Sequence, residues 1–294
     1  MTKSIRSRPT NASKPRFCII CEKPAPPYAK YCPRCRQIIG ENAGQLRTRI
    51  ALQKAWNKEQ DGFLCYYTGV KLEEYDTSSP WYITMDHFIP RKNGTEVVCA
   101  YVINDMKSNL SGDEFRAVIM EYDRHRKGAP FNRDIVKFQY WTWKAKTEKA
   151  PLQAGRPLRV YNVEACEICG GTPDKASRYC VRCRDHYPNV PGRRPAMKAS
   201  WNKQEQAFLD HYIGIRLEEK NLRSPYYMVF DHRIPRKYAD LVATSMLMNR
   251  MKTDLSEEEF NLMMDELARH FEGKPFDRDV IGFKYWKRAK YPRT

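Results

Sequence analysis

The chain has 294 residues, of which 41% are hydrophobic and 30% are charged, and its formal net charge is +17 at pH 7. This length suits two domains of ordinary size, and no apolar run approaches the roughly 18 residues that a membrane-spanning helix requires, which excludes membrane spanning. The excess of positive charge favours a polyanionic partner, most commonly nucleic acid, although a merely basic soluble protein would carry the same charge.

Residues 1–16 form a predicted basic tail. They include Lys3, Arg6, Arg8, Lys14 and Arg16, with no acidic residue and no apolar core. A secretory signal needs an apolar core, so this composition argues against one. We therefore expect the protein to be cytoplasmic.

Eight of the ten cysteines form two groups with one spacing, CxxC, ten residues and CxxC: Cys18, Cys21, Cys32 and Cys35, then Cys166, Cys169, Cys180 and Cys183. Four thiolates at this spacing suit the tetrahedral geometry of Zn²⁺. A disulfide framework is the alternative, but it is typical of secreted chains, and iron–sulfur binding is rarer at this spacing. We predict one structural zinc ribbon at the start of each half, with Cys65 and Cys99 as packed thiols. Basic residues beside the cysteines are candidates for phosphate contact: Lys30, Arg34, Arg36, Arg178, Arg182 and Arg184.

A β-strand that runs into an Asp-His pair is predicted in each half. In the first half, aromatic-rich residues 81–85 lead into Asp86 and His87. A loop containing Pro-Arg-Lys follows, and then a second β-like stretch, 97–102, that ends near Asn104. The same order recurs in the second half, at residues 226–230, Asp231 and His232, 241–244 and Asn249.

A helix is predicted after each of these asparagines. Ser111 with Glu114, and Ser256 with Glu259, have the spacing of a capping box, which satisfies backbone N–H groups at a helix start. Apolar residues then recur at helical spacing: Phe115, Val118, Ile119 and Tyr122, and Phe260, Met263, Met264 and Leu267. Strand, loop, strand and helix together predict an α+β fold.

The two halves are copies of one module at a constant offset. Trp56-Asn57-Lys58 recurs as Trp201-Asn202-Lys203, and DHFIPRK recurs as DHRIPRK. Residues 144–160 contain Pro, Gly and several Lys without apolar periodicity, which is typical of a linker. The predicted domains are the tail 1–16, the first ribbon and module 17–143, the linker 144–160, and the second ribbon and module 161–294.

The order Asp-His-x-x-Pro, then Asn-x-x-Lys after a short strand, resembles the HNH, or ββα-metal, nuclease family. The match runs from Tyr67 and from Tyr212 through the helix of each module. The resemblance implies a ββα-metal fold in which the His is the general base for water and the Asp and Asn hold one divalent ion. By this resemblance the bases are His87 and His232, and the ligands of Mg²⁺ or Mn²⁺ are Asp86, Asn104, Asp231 and Asn249.

These residue types also suit phosphodiester hydrolysis on chemical grounds. An imidazole that titrates near neutrality can take a proton from water, and one carboxylate with one amide oxygen leaves most of a Mg²⁺ shell to water and phosphate. Six basic residues near the motif are predicted to bind nucleic acid: Arg91, Lys92, Lys107, Arg236, Lys237 and Lys252.

The family often has a central Asn that ties down the loop, and this chain has Thr95 or Asp240 at that place. Asp240 can still accept hydrogen bonds from the loop. Thr95 is expected to be the poorer substitute, so the first module is expected to be the more impaired of the two.

These features predict a metal-dependent DNA endonuclease of restriction or homing type, in which one chain acts as a pseudo-dimer on duplex DNA and each site cuts one strand. One alternative is a non-catalytic, zinc-containing nucleic-acid-binding regulator, in which the Asp-His pairs are structural. Another is a nuclease that acts on RNA, since RNA-binding proteins also use basic grooves with aromatic residues.

Overall fold

The structure, a computed structural model, describes residues 16–40, 45–145, 163–175, 177–186, 188–237 and 240–287. The predicted basic tail, apart from Arg16, and the predicted linker from residue 146 onward lie outside the described residues. Among the residues that are described, no helix has both the length and the apolar character needed to cross a membrane.

Short antiparallel sheets alternate with helices in both halves, so the fold is α+β, as predicted. The first half contains β1 Arg16–Phe17, β2 Pro24–Ala25, α1 Pro33–Ile39, α2 Leu46–Ala55, β3 Trp56–Asn57, β4 Gly62–Phe63, β5 Ile83–His87, β6 Glu96–Ala100, α3 Tyr101–Lys107 and α4 Gly112–Arg126. The second half contains α5 Val181–Arg184, α6 Arg193–Ser200, β7 Trp201–Asn202, β8 Ala207–Phe208, β9 Met228–His232, β10 Leu241–Ser245, α7 Met246–Lys252 and α8 Glu257–Phe271.

A hairpin followed directly by a helix forms the centre of each half. β5 pairs with β6 so that Asp86 lies opposite Val97 and His87 lies opposite Glu96. β9 and β10 have the matching register. The sequence predicted a second strand through residue 102, but that strand ends at Ala100 and Asn104 lies within α3. Val102, Ile103 and Met106 are buried at helical spacing, and this packing outweighs the strand preference of β-branched residues.

Both predicted capping boxes are confirmed. The side chain of Ser111 accepts a hydrogen bond from the Glu114 N–H, and the Glu114 carboxylate accepts one from the Ser111 N–H. Ser256 and Glu259 make the same pair of bonds at the start of α8. The apolar faces of α4 and α8 are buried in a hydrophobic core that contains residues of both halves.

The two halves pack against each other through reciprocal contacts. Arg133 pairs with Glu218 at 2.6 Å, and the equivalent residues with the halves exchanged, Arg278 and Glu73, pair at 3.1 Å. The aromatic contacts follow the same rule: the rings of Phe138 and Tyr226 lie 5.6 Å apart, as do those of Trp81 and Phe283. Each contact thus occurs a second time with the two halves exchanged. Such reciprocal contacts indicate that the halves are related by an approximate two-fold axis.

α4 and α8 form the centre of this interface. The hydroxyl of Tyr122 donates to the side-chain oxygen of Asn261 at 2.6 Å, and its ring packs edge-on against Phe260 at 5.6 Å. α3 packs against α7 as well. The helices that carry Asn104 and Asn249 are therefore neighbours in the folded chain.

Candidate functional site

The two cysteine groups can each hold one metal ion. In each group the four Sγ atoms all lie within 4.8 Å of one another. Zinc–sulfur bonds of about 2.3 Å in a tetrahedron place sulfur atoms about 3.8 Å apart, so the donor type, number and spacing fit zinc. Cys65 and Cys99 are buried elsewhere, as predicted for packed thiols.

Backbone N–H groups favour the thiolate form of the first ligand in each group. Burial acts to raise the pKa of Cys18, but the N–H groups of Cys21, Cys32 and Ile20 outweigh it and lower the pKa to about 7. The pKa of Cys166 is lowered to about 7 in the same way. Burial raises the pKa of Cys21, Cys35, Cys169 and Cys183 in the same groups. The thiolate is the form that binds metal, so the first cysteine of each group is the one most readily available to an ion.

An arginine joins each cysteine group to its module. Arg34 binds Glu74 and also donates to Asp61 Oδ1 at 2.9 Å, and its guanidinium lies 4.9 Å from the Trp56 ring. In the second half, Arg182 makes the equivalent contacts with Glu219 and Trp201. The sequence treated both arginines as candidates for phosphate contact, but the structure uses them to brace the ribbons. Arg178 and Arg184 are also engaged, with Glu167 and Asp174.

The aspartate of each Asp-His pair lies in a buried three-residue cluster. Tyr67 donates from its hydroxyl to Asp86 Oδ2 at 2.7 Å, and Lys107 donates from Nζ to Asp86 Oδ1 at 3.1 Å. Burial raises the pKa of Asp86, although Lys107 and Tyr67 act in the opposite direction. The second half repeats the cluster with Tyr212, Asp231 and Lys252.

These contacts correct the prediction made for Lys107 and Lys252. The sequence placed both on the surface that binds nucleic acid, but their side chains are 0% and 1% exposed. Each ammonium group donates to the backbone carbonyl of the neighbouring His, His87 or His232, as well as pairing with the aspartate. In this structure they stabilise the end of the strand instead of facing phosphate.

The asparagine of the motif lies against the strand that carries Asp86. Asn104 donates from Nδ2 to the carbonyl of Met85 at 3.2 Å. Because one face of α3 is buried against the hairpin, this contact brings the helix residue beside the strand end. Among the residues that the structure describes, the amide oxygen of Asn104 accepts no hydrogen bond, so it can ligate a cation or water.

His87 is half exposed and has an acidic neighbour. Its side chain is 44% exposed, and Nε2 lies 3.6 Å from Oε1 of Glu96, the residue opposite it in the hairpin. Glu96 is itself held by Arg47, with 3.2 Å between Nε and Oε1, and by the N–H of Gly94. A carboxylate in this position can help orient an imidazole.

The second half has a different residue opposite the histidine. Leu241 lies opposite His232, and Gly192 stands at the position equivalent to Arg47. The two copies therefore differ next to the histidine while they agree at the Asp-Lys-Tyr cluster.

The Pro-Arg-Lys loops place four predicted basic residues on the surface. Arg91, Lys92, Arg236 and Lys237 are exposed. In both loops the arginine has a left-handed backbone, with φ of 63° at Arg91 and 68° at Arg236. A non-glycine residue rarely adopts this conformation, and strain of this kind tends to occur at functional sites.

Thr95 holds the first loop more firmly than the sequence suggested. Its hydroxyl donates to the carbonyl of Ile89 or Lys92, at 3.2 and 2.7 Å, and it accepts from the Ile89 N–H. In the second loop Asp240 accepts from the Arg233 side chain instead. The loop contacts therefore give no reason to regard the first module as the more impaired.

A cleft of about 530 Å³ lies where the two halves meet. Its walls come from both halves and include Tyr101, Asp105, Arg236, Asn249, Arg250 and Trp286. Asn249, a candidate metal ligand, therefore lines a cleft to which the first half also contributes.

Sequence reasoning missed Glu96 and Arg47 as neighbours of His87, because the strand register that brings them together is a tertiary feature. It also gave no role to Tyr67 and Tyr212. Their recurrence at the offset of the repeat was the available signal for a shared function.

Comparison of the chain with protein-family models, with curated proteins and with solved structures found no match.

Proposed function

We propose that this chain is a metal-dependent endonuclease that hydrolyses phosphodiester bonds in DNA, with one HNH-type site in each half. The contact between Asn104 Nδ2 and the Met85 carbonyl carries the proposal, because it joins the helix residue of the motif to the strand that ends in Asp86 and His87. The sequence separates these residues, and the hairpin and α3 bring them to one edge.

The half-exposed His87 acts as the general base. Its exposure gives water access to the ring, and Glu96 orients the ring from the opposite strand. Hydrolysis begins when the imidazole takes a proton from a water molecule aimed at phosphorus. Exposed Arg91 and Lys92 bind the phosphates on either side.

Asp86 and Asn104 are the residues that would hold a catalytic divalent ion. A carboxylate has about four acceptor positions, of which Tyr67 and Lys107 occupy two. The Asp86 side chain is only 6% exposed, so an ion there would have to reach a largely buried group. One carboxylate with one amide oxygen fits the preference of Mg²⁺ for a few protein oxygens and several waters. A bound Mg²⁺ or Mn²⁺ supplies positive charge at the phosphate and at the leaving oxygen.

The reciprocal packing of the halves supports action on a duplex. The strands of duplex DNA are related by two-fold axes, and two sites related in the same way can face one strand each. The contact between α3 and α7 makes the helices that carry Asn104 and Asn249 neighbours, which suits a single bound duplex. The net charge of +17 favours such a partner.

A second candidate function rests on the same buried clusters. Because Asp86 and Lys107 form a buried ion pair, retention of these residues in both copies is also explained by folding alone. A zinc-containing nucleic-acid-binding regulator without catalysis would keep them for that reason.

Incubation with labelled duplex DNA and with RNA of the same sequence, with and without Mg²⁺, separates these functions. The proposal expects cleavage of DNA that requires the ion and is lost in the variant carrying His87→Ala and His232→Ala. Retarded complexes without any product would support the regulator, and cleavage confined to RNA would support the RNA-directed nuclease. Zinc content, measured in parallel, checks that the variant is folded.

A further inference from the structure

The first zinc ribbon exposes a set of aromatic, apolar and basic side chains, which we call the aromatic face: Arg16, Phe17, Ile19, Tyr28 and Lys30. Phe17 is 59% exposed, Tyr28 is 81% exposed and Ile19 is 37% exposed. The guanidinium of Arg16 lies 5.8 Å from the centre of the Tyr28 ring. Exposure of large apolar side chains to water is unfavourable. A group of them on a protein surface therefore indicates a binding surface.

Tyr28 is presented on a rigid turn. The Ala29 N–H donates to the Pro26 carbonyl at 3.0 Å, and Pro27 occupies the first central position of that turn. Tyr28 follows with a φ of 67°, in the left-handed region that favours glycine. A glycine would adopt this backbone conformation with less strain than a tyrosine. The presence of Tyr28 therefore indicates that its exposed ring has a function.

The second ribbon has the same backbone but not the same face. The bond from the Ile19 N–H to the Lys30 carbonyl has its equivalent in the bond from the Glu167 N–H to the Arg178 carbonyl, each 3.0 Å long. At the equivalent positions, Arg16 becomes Glu164 and Phe17 becomes Ala165. The side chains of Glu167 and Arg178 pair with each other. Zinc binding alone therefore does not require the aromatic face.

We propose that the aromatic face binds single-stranded nucleic acid, with the rings of Tyr28 and Phe17 stacking on unpaired bases. Every base has a flat apolar face that an exposed ring can cover, while Arg16 and Lys30 attract the backbone phosphates. In the part of the chain that the structure describes, Lys30 forms no ion pair, so its charge is not neutralised by a neighbouring acid.

Charge decides between this occupant and a protein partner. The aromatic face combines its rings with two cations and no acid, and the whole chain carries a large positive charge. A second copy of such a chain would be repelled, whereas a polyanion is attracted. Duplex DNA shows its bases only at their edges, so the rings favour a single strand.

The test measures binding by fluorescence anisotropy, with a labelled single-stranded oligodeoxynucleotide and a blunt duplex of the same sequence. No divalent ion is added, so the result does not depend on cleavage or on the proposed nuclease function. The full chain is compared with the variant carrying Phe17→Ala and Tyr28→Gly. Glycine suits the left-handed backbone at residue 28, so this change removes the ring without straining the turn.

The matched control is Tyr75→Ala. Tyr75 is 66% exposed, but Glu74 and Asp76 flank it, which makes it a poor site for a polyanion. Zinc content and thermal unfolding of each variant check that both ribbons are intact.

The proposal expects the variant of the aromatic face to bind the single strand about tenfold more weakly or worse, which is the size of a stacked-base contribution. The loss should persist at higher salt, because stacking is not screened, and duplex binding should hardly change. Unchanged single-strand affinity, an equal loss in Tyr75→Ala or an equal loss on the duplex would each overturn it. A change in oligomeric state without a change in DNA affinity would also overturn it, in favour of a protein-binding surface.

Discussion

The ammonium of Lys107 lies 3.1 Å from a carboxylate oxygen of Asp86, inside the fold, and Lys252 stands 3.2 Å from Asp231 in the same way. Each pair joins the first and last residues of the Asp-His…Asn-x-x-Lys motif. The hydroxyl of Tyr67 or Tyr212 completes each cluster. These contacts give the motif a structural role in addition to any chemistry at its histidine.

Replacing Lys107 by Met should destabilise the protein strongly. The change leaves a buried carboxylate without its cation and removes a hydrogen bond to the His87 carbonyl. Loss of one partner from a buried ion pair costs about 3–5 kcal/mol in the free energy of unfolding. Urea denaturation measures this cost.

The matched control for that substitution is Lys92→Met, on the exposed loop of the same half. A surface change of this kind should alter stability by about 0.5 kcal/mol or less. If Lys107→Met cost no more than Lys92→Met, the buried cluster would not be a stabilising feature.

Replacing Glu96 by Gln should slow the first site selectively, if the chain is a nuclease. Glu96 faces His87 and is anchored by Arg47, so its loss leaves the imidazole less well oriented. Misplacement of a catalytic group costs up to about a hundredfold in rate, and we expect at least a tenfold loss. The nicking rate of a His232→Ala background isolates the first site.

Leu241→Gln in the same background is the control, because Leu241 lies opposite His232 and not opposite His87. Equal rates for Glu96→Gln and this control would remove Glu96 from the mechanism.

The chain should bind two zinc ions. Cys21→Ser removes a sulfur from the first group only, so the variant should retain one zinc ion and lose stability in the first half. Cys65→Ala, a buried thiol outside both groups, should retain both ions. Metal analysis of the purified proteins measures the ratio, and loss of zinc from Cys65→Ala would contradict the assignment.

The packing of the two halves should depend on aromatic burial more than on ion pairs. Arg133 and Glu218 are 35% and 34% exposed, and the Arg133 guanidinium also lies 4.4 Å from the Tyr226 ring, so removing Arg133 should cost about 1–2 kcal/mol. Tyr122 is 2% exposed and contacts Asn261 and Phe260, so Tyr122→Ala should cost about 3–5 kcal/mol. Thermal unfolding of the two variants compares them, and the reverse order would refute this account of the interface.

The parts of the structure that depend on local sequence were predictable. The cysteine spacing predicted both four-sulfur groups, because two CxxC turns bring their own thiols together. The capping boxes predicted the starts of α4 and α8, because each box is completed within four residues.

The parts of the structure that depend on tertiary packing could not be predicted from the sequence. Residues Tyr101 and Val102 favour a strand by themselves, yet burial against the hairpin makes them helical. Lys107 was predicted to bind nucleic acid because it is a basic residue of the motif, and only the fold brings Asp86 and Tyr67 to it. The asymmetry between Glu96 and Leu241 becomes visible only when the strand register is known.

Cleavage of supercoiled plasmid in Mg²⁺ by four forms of the chain tests the central claim most directly: the unchanged protein, His87→Ala, His232→Ala and the double variant. With two sites that each cut one strand, the unchanged protein yields linear DNA, each single variant stops at nicked circles and the double variant leaves the plasmid supercoiled. Linear DNA from the double variant, at full zinc content, would contradict the account.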